Sequence, residues 1–314
     1  MAQGIRQSTN RTYTSGQKCY LQFCSLYSLP PLPASEKVIL CFVTFLKSKL
    51  LSINSIHVYL AAVRSLHVMN GFDPPATNTP RVKLALKAIL ESNPPPAQAI
   101  PITYKLLVQL CDKLLFNYDD ILWKAVFTVA FFGGLRSNEY AIADNVPCQE
   151  QKAPLSLAQV NFGTDPKGLP FMALQLNTTK TTPHGTVIPI GCSTTAVCAV
   201  CFTKHYLSLR HATRRCHSAQ PLFLFANGRA LSKSILNSKL KELVSALGLN
   251  PSGFSSHSLR AGVTSSAACA SATPFQAWEL KSLGHWKSDS YQRYIRNVDA
   301  HRLYFAQRIA HLPN

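Results

Sequence analysis

The stretch SSHSLRAGVTSS, residues 255–266, places His257 and Arg260 three positions apart among hydroxyl-bearing and small residues. Residues at positions i and i+3 of an α-helix lie on one face, so a helix here directs both side chains to the same place. The pattern therefore predicts a helix that carries a basic pair toward one shared polar partner.

A second stretch, SLGHWKSDSYQRYIRN at residues 282–297, begins about twenty-five residues after His257. It places His285 directly after a glycine and Tyr294 nine positions beyond that histidine. Tyr291 lies three positions before Tyr294, where it is either a rival nucleophile or a packing residue of an amphipathic segment. The segment thus supplies a second histidine and a candidate nucleophilic hydroxyl.

A third basic residue follows a buried segment earlier in the chain. The run at residues 121–132 is apolar nearly all round, which predicts a buried helix that ends at the double glycine after it. Arg136 follows that glycine pair, and Glu139 lies one turn later. A carboxylate at that spacing is expected to orient the arginine.

The segment FMALQLNTTKTTPHGTVIPI, residues 171–190, predicts two strands around a turn, with Lys180 at or near the tip. Hairpin registers slip easily, so Lys180 is assigned with less support than the arginines and histidines. Lys167 and Lys204 are weaker substitutes for the same role.

These residues together suit attack on a phosphodiester. Two guanidinium groups grip non-bridging oxygens and stabilise the charge on a five-coordinate phosphorus. A histidine relays a proton, a lysine protonates a leaving alkoxide, and a tyrosine acts as a covalent nucleophile. The cations supply the charge that a metal would bring, so no cofactor or metal is expected. The candidate catalytic residues are Arg136, Lys180, His257, Arg260, His285 and Tyr294, with Glu139 in support.

The charge balance predicts a polyanionic partner. The 314 residues include 32 Lys and Arg against 14 Asp and Glu, a net charge of +18, and the excess is spread over both parts of the chain. Nucleic acid is the first candidate because each neutralised phosphate releases counterions. An anionic membrane surface is a weaker alternative, since neither a run of eighteen apolar residues nor a long basic amphipathic helix is present.

Ten cysteines and a polar N-terminus without a visible signal peptide favour reduced, intracellular thiols. One cluster has the C-x2-C spacing of a zinc site, namely Cys198, Cys201, Cys216 and His217. The favoured interpretation places the cysteines as small apolar residues on the buried face of an amphipathic helix.

The helical spacing of apolar residues and a proline-rich segment divide the chain into two domains. Residues 1–92 are predicted to form a bundle of four or five helices, and the prolines in SNPPPAQAIPIT make residues 93–103 an extended linker. Residues 104–314 are predicted to form a mixed domain dominated by helices, with one small antiparallel β-sheet. The fold class is therefore mainly α.

The ordered motifs resemble those of tyrosine recombinases, the phage-integrase class of site-specific recombinases. The matching motifs are GLRSNE for the first arginine, HSLR for the H-x-x-R box and LGHWKSDSYQRYIRN for the final histidine and the nucleophile. The H-x-x-R motif alone is weak, whereas the ordered set that ends in a tyrosine at +9 is strong. The resemblance covers the whole chain and implies a helical core-binding (SAM-like) domain before the catalytic domain.

The resemblance implies a role for each residue. Arg136 and Arg260 bind the scissile phosphate, His257 acts in proton transfer at the nucleophile, and His285 hydrogen-bonds the phosphate. Lys180 is the general acid for the 5′-hydroxyl, and Tyr294 forms a 3′-phosphotyrosine. The usual spacing in the family favours Tyr294 over Tyr291.

The resemblance also implies double-stranded DNA as the partner, gripped by both domains, and a homotetramer on two DNA sites that exchanges strands through a Holliday junction. No small-molecule cofactor, ATP or divalent ion is implied. RTYTSGQKCYLQFC, SIHVYLAAVRSLH and HSLRAGVTSSAA are similar to recombinases of eukaryotic DIRS, Ngaro and Crypton mobile elements, which implies work on nuclear DNA.

Two alternatives stay open. A type IB topoisomerase shares the Tyr, Arg, Lys and His chemistry but relaxes supercoils without recombining sites. A non-catalytic DNA-binding derivative of a recombinase would keep the fold without the reaction, although the complete residue set argues against decay. The compact helical N-terminal domain and the short interval from His257 to Tyr294 favour the recombinase.

Overall fold

The computed structural model describes residues 7–92, 99–144, 154–177, 185–213, 217–268, 275–286 and 288–294. Within those ranges, side chains are described from residue 9 to residue 292. The chain divides into two compact units, Met1–Pro96 and Ala97–Asn314, at a point inside the predicted linker. In the described parts, no helix has both the length and the apolar character of a membrane-spanning segment.

The first unit, within its described residues, is built of helices around one core. Ser35 and Ser52 cap the second and third of these helices, each accepting a hydrogen bond from the backbone N–H three residues later. Tyr20, Phe23 and Phe42 meet at the centre, and the Phe42 ring centroid lies 5.1 Å from that of Tyr20 and 5.2 Å from that of Phe23. The helices are α1 (Gln7–Leu26), α2 (Glu36–Ser48), α3 (Ile53–Met69) and α4 (Pro80–Ser92).

The second unit is also mainly helical. Residues 121–131 are all buried, which confirms the predicted buried helix before the double glycine. Its described helices are α5 (Tyr104–Asp112), α6 (Tyr118–Phe132), α7 (Ser137–Tyr140), α8 (Ala199–Thr213), α9 (Lys233–Ala246), α10 (Ser256–Ala268) and α11 (Ala277–Leu283). A 3-10 helix over Asp289–Tyr294 follows α11.

The described part of the second unit holds one antiparallel sheet, with strands β1 (Val160–Thr164), β2 (Pro170–Leu176) and β3 (Thr186–Gly191) in that spatial order. The predicted hairpin is confirmed as β2 and β3, in which Leu174 pairs with Ile188 and both side chains are buried. β1 was not predicted, because VNFGT contains a glycine and an asparagine, which disfavour strands. The many helices together with this one small antiparallel sheet confirm the predicted, mainly α fold class.

The end of the predicted linker packs into the second unit. The Ile100 N–H donates to the Gly253 carbonyl at 2.8 Å, and the Ile102 N–H donates to the Ser258 carbonyl at 2.9 Å. Ile102 is fully buried, and a Cβ on Gly262 of α10 would collide with the Ile102 carbonyl oxygen. Ile100 and Ile102 are therefore part of the second unit and not of a free spacer.

Candidate active site

The turn after α6 brings two distant segments into contact. Gly134 has a φ of +53°, which an L side chain rarely adopts, and a Cβ there would collide with the carbonyl oxygen of Leu283. Only glycine allows the turn to approach the end of α11 so closely. Arg136 follows two residues after Gly134, as the N-cap residue of α7.

Glu139 holds Arg136 in two ways. Its carboxylate accepts a hydrogen bond from the Arg136 backbone N–H at 2.7 Å and another from the guanidinium Nη1 at 3.0 Å. The side chain of Arg136 is 26% exposed and that of Glu139 is 10% exposed, so the pair lies at the edge of the core. The contact is the one that the i, i+3 spacing predicts, and it leaves Arg136 at a surface that a ligand can reach.

Arg260 of α10 is almost fully buried, with 1% exposure. Its guanidinium donates to the carbonyl oxygens of Gly134 and Gly284, one on each of the two segments that the glycine turn brings together. Its Cζ atom lies 4.5 Å from the ring centroid of Trp286, in a cation–π arrangement. A single guanidinium therefore joins α10, the turn after α6 and the turn after α11.

His285 follows Gly284 in a left-handed backbone conformation, with φ of +53°. Its Nε2 lies 3.2 Å from the carbonyl oxygen of Gly133, and since a carbonyl only accepts, Nε2 carries the proton in this contact. Burial lowers the pKa of His285, the Gly133 carbonyl partly opposes that shift, and the charge of Arg260 lowers the pKa further. The imidazole is therefore neutral at pH 7.

His257 lies in the first turn of α10, one turn before Arg260, and its side chain reaches solvent. The neighbouring protein still removes enough water to lower the pKa of His257, and the charges of Arg260, Arg136 and Lys233 lower it further. His257 is consequently neutral at pH 7, and its free base form is able to accept a proton.

Lys233 comes close to His257 because of a short bridge between two loops. The Ile142 N–H donates to the Leu231 carbonyl at 2.9 Å, and the Lys233 N–H donates to the Ile142 carbonyl at 3.1 Å. This bridge fixes the start of α9 beside the segment that follows α7. Lys233 itself is exposed and adds a third positive charge near the two arginines.

The structure brings four of the predicted residues into one site, as their mutual electrostatics show. The charges of Arg136 and Arg260 act on both His257 and His285, while the Glu139 carboxylate acts on His285. All of these side chains surround the turns after α6 and α11 and the first turns of α10.

The other predicted residues are only partly described. Lys180 lies in the connection between β2 and β3, outside the described residues. The backbone of Tyr294 ends the 3-10 helix, and its side chain lies outside the described part of the chain. Of the two substitute lysines, Lys167 is exposed in the turn between β1 and β2, and the Lys204 Nζ lies 5.4 Å from the centroid of the Phe162 ring.

Tyr291 has a structural place of its own. It is 6% exposed and packs in a small cluster with Ala267, Leu280 and Trp286. Its ring centroid lies 6.5 Å from that of Trp286. Tyr291 thus supports the residue on which the Arg260 guanidinium stacks.

Two contributors to the site were not predicted. The sequence does not distinguish Lys233 from the other basic residues among its 32 Lys and Arg, because only the fold places Lys233 near His257. Trp286 lies next to His285 in the sequence, but its contact with Arg260 depends on the close approach of the turn after α6 to the turn after α11.

Several solved structures have the same fold as this chain. The chain matches a Tn1549 transposon integrase bound to circular intermediate DNA, with a TM-score of 0.61 and 15% identity over 96% of this chain and 94% of that chain. It matches the XerH site-specific recombinase bound to its palindromic difH substrate, with a TM-score of 0.60 and 15% identity over 89% of this chain and 71% of that chain.

The neighbours are tyrosine recombinases and integrases, and the chain has their fold. Another Tn1549 integrase structure, in complex with transposon right end DNA, matches with a TM-score of 0.61 and 13% identity over 98% of this chain and 95% of that chain. No protein-family model matches the sequence, and no curated protein matches it.

Proposed function

We propose that this chain is a site-specific DNA recombinase that cuts and rejoins strands through a 3′-phosphotyrosyl intermediate. The observation that carries the proposal is the convergence of Arg136, His257, Arg260 and His285 on one site within a fold shared with DNA-bound recombinases. These residues come from three separate segments, and a purely structural cluster would have no need of two arginines beside two neutral histidines.

The charges of the site suit a phosphate. Arg136 is half-buried and oriented by Glu139, while Arg260 is fixed by two backbone carbonyls and the Trp286 ring. A guanidinium that is fixed before the substrate arrives needs little reorganisation when negative charge develops on the phosphorus oxygens. In this proposal the two arginines bind the scissile phosphate, and His285 hydrogen-bonds it.

The proton transfers follow from the state of the imidazoles. We assign the attack to the Tyr294 hydroxyl, which forms a bond from oxygen to phosphorus while the bond from phosphorus to the 5′-oxygen breaks. Neutral His257 accepts the tyrosine proton, and Lys180 protonates the departing 5′-oxygen. In the second step, the 5′-hydroxyl of another strand gives its proton back to Lys180 and attacks the phosphotyrosine. The bond from phosphorus to the Tyr294 oxygen breaks, and that oxygen regains its proton from His257.

The burial of Tyr291 supports Tyr294 as the nucleophile. A phenol packed with Ala267, Leu280 and Trp286 would have to leave this cluster before its oxygen formed a bond to phosphorus. Its departure would also remove support from the ring beneath Arg260. The spacing from His285 and this burial point to the same tyrosine.

Finer features of the proposal rest on resemblance and charge. Double-stranded DNA as the partner is supported by the net charge of +18 and by the DNA in the complexes of the Tn1549 integrase and XerH. We further propose a homotetramer on two sites, a role in a DIRS-, Ngaro- or Crypton-type mobile element, and action on nuclear DNA. These features follow from the sequence motifs alone.

The test is covalent trapping on nicked duplexes of random sequence, in EDTA and without ATP. The proposal predicts SDS-resistant adducts between protein and DNA, enriched for one sequence, and none with Arg136→Ala. Tight DNA binding without adducts would favour the non-catalytic derivative. Adducts without sequence preference, together with relaxation of supercoiled plasmid, would favour the topoisomerase.

A further inference from the structure

Three cysteine sulfurs meet where β3 passes into α8. Cys192 follows the last residue of β3, Cys198 precedes the first residue of α8, and Cys201 lies in the first turn of that helix. The Cys192 Sγ lies 3.5 Å from that of Cys198 and 4.0 Å from that of Cys201, and all three sulfurs lie within 4.8 Å of one another. The cluster lies outside the proposed catalytic residues.

The spacing of the sulfurs fits ligands of one tetrahedral ion. A Zn–S bond of about 2.3 Å and tetrahedral angles place two thiolate sulfurs about 3.8 Å apart. The observed distances of 3.5 Å and 4.0 Å lie on either side of that value. A disulfide requires a separation of about 2.05 Å, so none of these pairs is bonded.

The backbone around the cluster directs donors at one of the sulfurs. The N–H groups of Cys201 and Ser193 lie within hydrogen-bond reach of the Cys198 sulfur. N–H groups that point at a sulfur are the usual support of a metal-bound thiolate. The amino end of α8 adds a favourable dipole.

Exposure provides a route for an ion to enter. Cys198 is buried, Cys192 is half-buried, and Cys201 is exposed. Burial on an amphipathic helix, the interpretation favoured from sequence, therefore accounts for Cys198 but not for Cys201. The earlier candidate set was also different: Cys192 replaces His217 in the described cluster, and Cys216 lies outside the described residues.

We propose that Cys192, Cys198 and Cys201 bind one thiophilic divalent cation, of which zinc is the representative. Of the described residues, no fourth Cys, His, Asp or Glu shares the cluster, so the fourth position is taken by water or by a group from the rest of the chain. The ion ties the end of β3 to the start of α8.

The experiment measures metal in the full chain, purified with reductant and added zinc and then freed of loosely bound ion. We expect about one zinc per chain by elemental analysis, and a thiolate-to-metal charge-transfer band when Co²⁺ is titrated into the metal-free protein. Cys201→Ser is the informative variant, because an exposed side chain is replaced without disturbing the core. Cys41→Ser, at an exposed cysteine of α2, is the matched control.

Loss of the zinc and of the charge-transfer band in Cys201→Ser, with both kept in Cys41→Ser, supports the site. Absence of the band in the wild-type chain under reducing conditions would overturn it, and so would zinc retained unchanged in Cys201→Ser. A disulfide between Cys192 and Cys198 in protein kept under reductant would replace the metal site with a redox pair. None of these readouts depends on DNA cleavage, so they stand apart from the test of the recombinase.

Discussion

Arg260 is the residue on which the geometry of the site depends. Its guanidinium donates to the carbonyls of Gly134 and Gly284 and stacks on Trp286, so one buried side chain holds two turns in place. A carbonyl that loses such a charged donor inside the core keeps its desolvation cost without compensation. Arg260 therefore contributes to the stability of the second unit, and in the proposed reaction it also binds the phosphate.

We predict that Arg260→Met lowers the free energy of unfolding of the second unit by about 3 kcal/mol and abolishes DNA cleavage. Methionine keeps the apolar stem but leaves the two carbonyls without their charged donor. Urea unfolding followed by tryptophan fluorescence measures the loss. All three tryptophans, Trp123, Trp278 and Trp286, lie in the second unit and report on it selectively.

An exposed arginine supplies the control. Arg229 is exposed in the connection between α8 and α9, and Arg229→Met is expected to leave the unfolding midpoint unchanged. Equal stability of Arg260→Met and the wild type would show that the two carbonyl contacts contribute little.

His285 makes the stability of the second unit depend on pH. Burial and the charges of Arg260 and Arg136 lower the pKa of His285, against the Gly133 carbonyl and the Glu139 carboxylate, which raise it. Between that lowered value and the ordinary value of about 6.5, the unfolded chain binds a proton that the folded chain does not. Stability therefore falls as the pH drops through this window.

We predict that His285→Asn reduces the loss of stability between pH 7.5 and pH 5.5. Asparagine tolerates the left-handed backbone at this position but carries no titrating ring. Fluorescence-monitored unfolding at the two pH values gives the comparison. An identical pH dependence in variant and wild type would remove His285 as a source of the effect.

At the scale of elements, α10 owes its position to one glycine. A Cβ at Gly262 would collide with the Ile102 carbonyl oxygen, so the helix lies directly against the segment before α5. Ile102 is anchored there through its hydrogen bond to the Ser258 carbonyl. Any outward shift of α10 would move His257 and Arg260 with it.

We predict that Gly262→Ala lowers the free energy of unfolding by about 2 kcal/mol, although alanine is the better helix former. The added methyl has to displace backbone and not a flexible side chain. Gly191→Ala is the matched control, because a Cβ there meets no atom within 4 Å. Both variants are measured by urea unfolding, and an unchanged or higher stability of Gly262→Ala would contradict the close packing.

Elements with strong local patterns were predictable from sequence. The apolar run of α6, the pairing of β2 with β3 and the helix that carries HSLR are all present in the structure. β1 was missed because its residues are poor strand formers, and it is a strand only through its pairing with β2. Local sequence does not encode such a dependence on a neighbouring element.

The sequence predicts candidate residues for the site but not their geometry. Spacing identified the basic residues, but nothing local predicted that Arg260 would donate to Gly134 and Gly284 or that Lys233 would approach His257. The cysteine cluster shows the same limit, since Cys192 joins Cys198 and Cys201 only through the turn from β3 to α8. Contacts between distant segments are a property of the whole fold.

The whole molecule carries a net charge of +18, which should dominate its encounter with DNA. We predict that its affinity for a duplex of arbitrary sequence falls by about 10³ or more between 50 and 200 mM salt, the effect of six or more phosphate contacts. Fluorescence anisotropy with a labelled duplex measures how the affinity changes with salt concentration. An affinity nearly independent of salt would show that phosphates are not the main contacts.

Tyr294 is the proposed nucleophile, whereas Tyr291 packs in a small cluster with Ala267, Leu280 and Trp286. The direct measurement is adduct formation on the trapped target duplex by the wild type, Tyr294→Phe and Tyr291→Phe, in EDTA and without ATP. We predict no SDS-resistant adduct with Tyr294→Phe and a retained adduct with Tyr291→Phe, since phenylalanine keeps the apolar contact with Trp286. Adducts that persist in Tyr294→Phe and disappear in Tyr291→Phe would show that Tyr291, and not Tyr294, is the nucleophile.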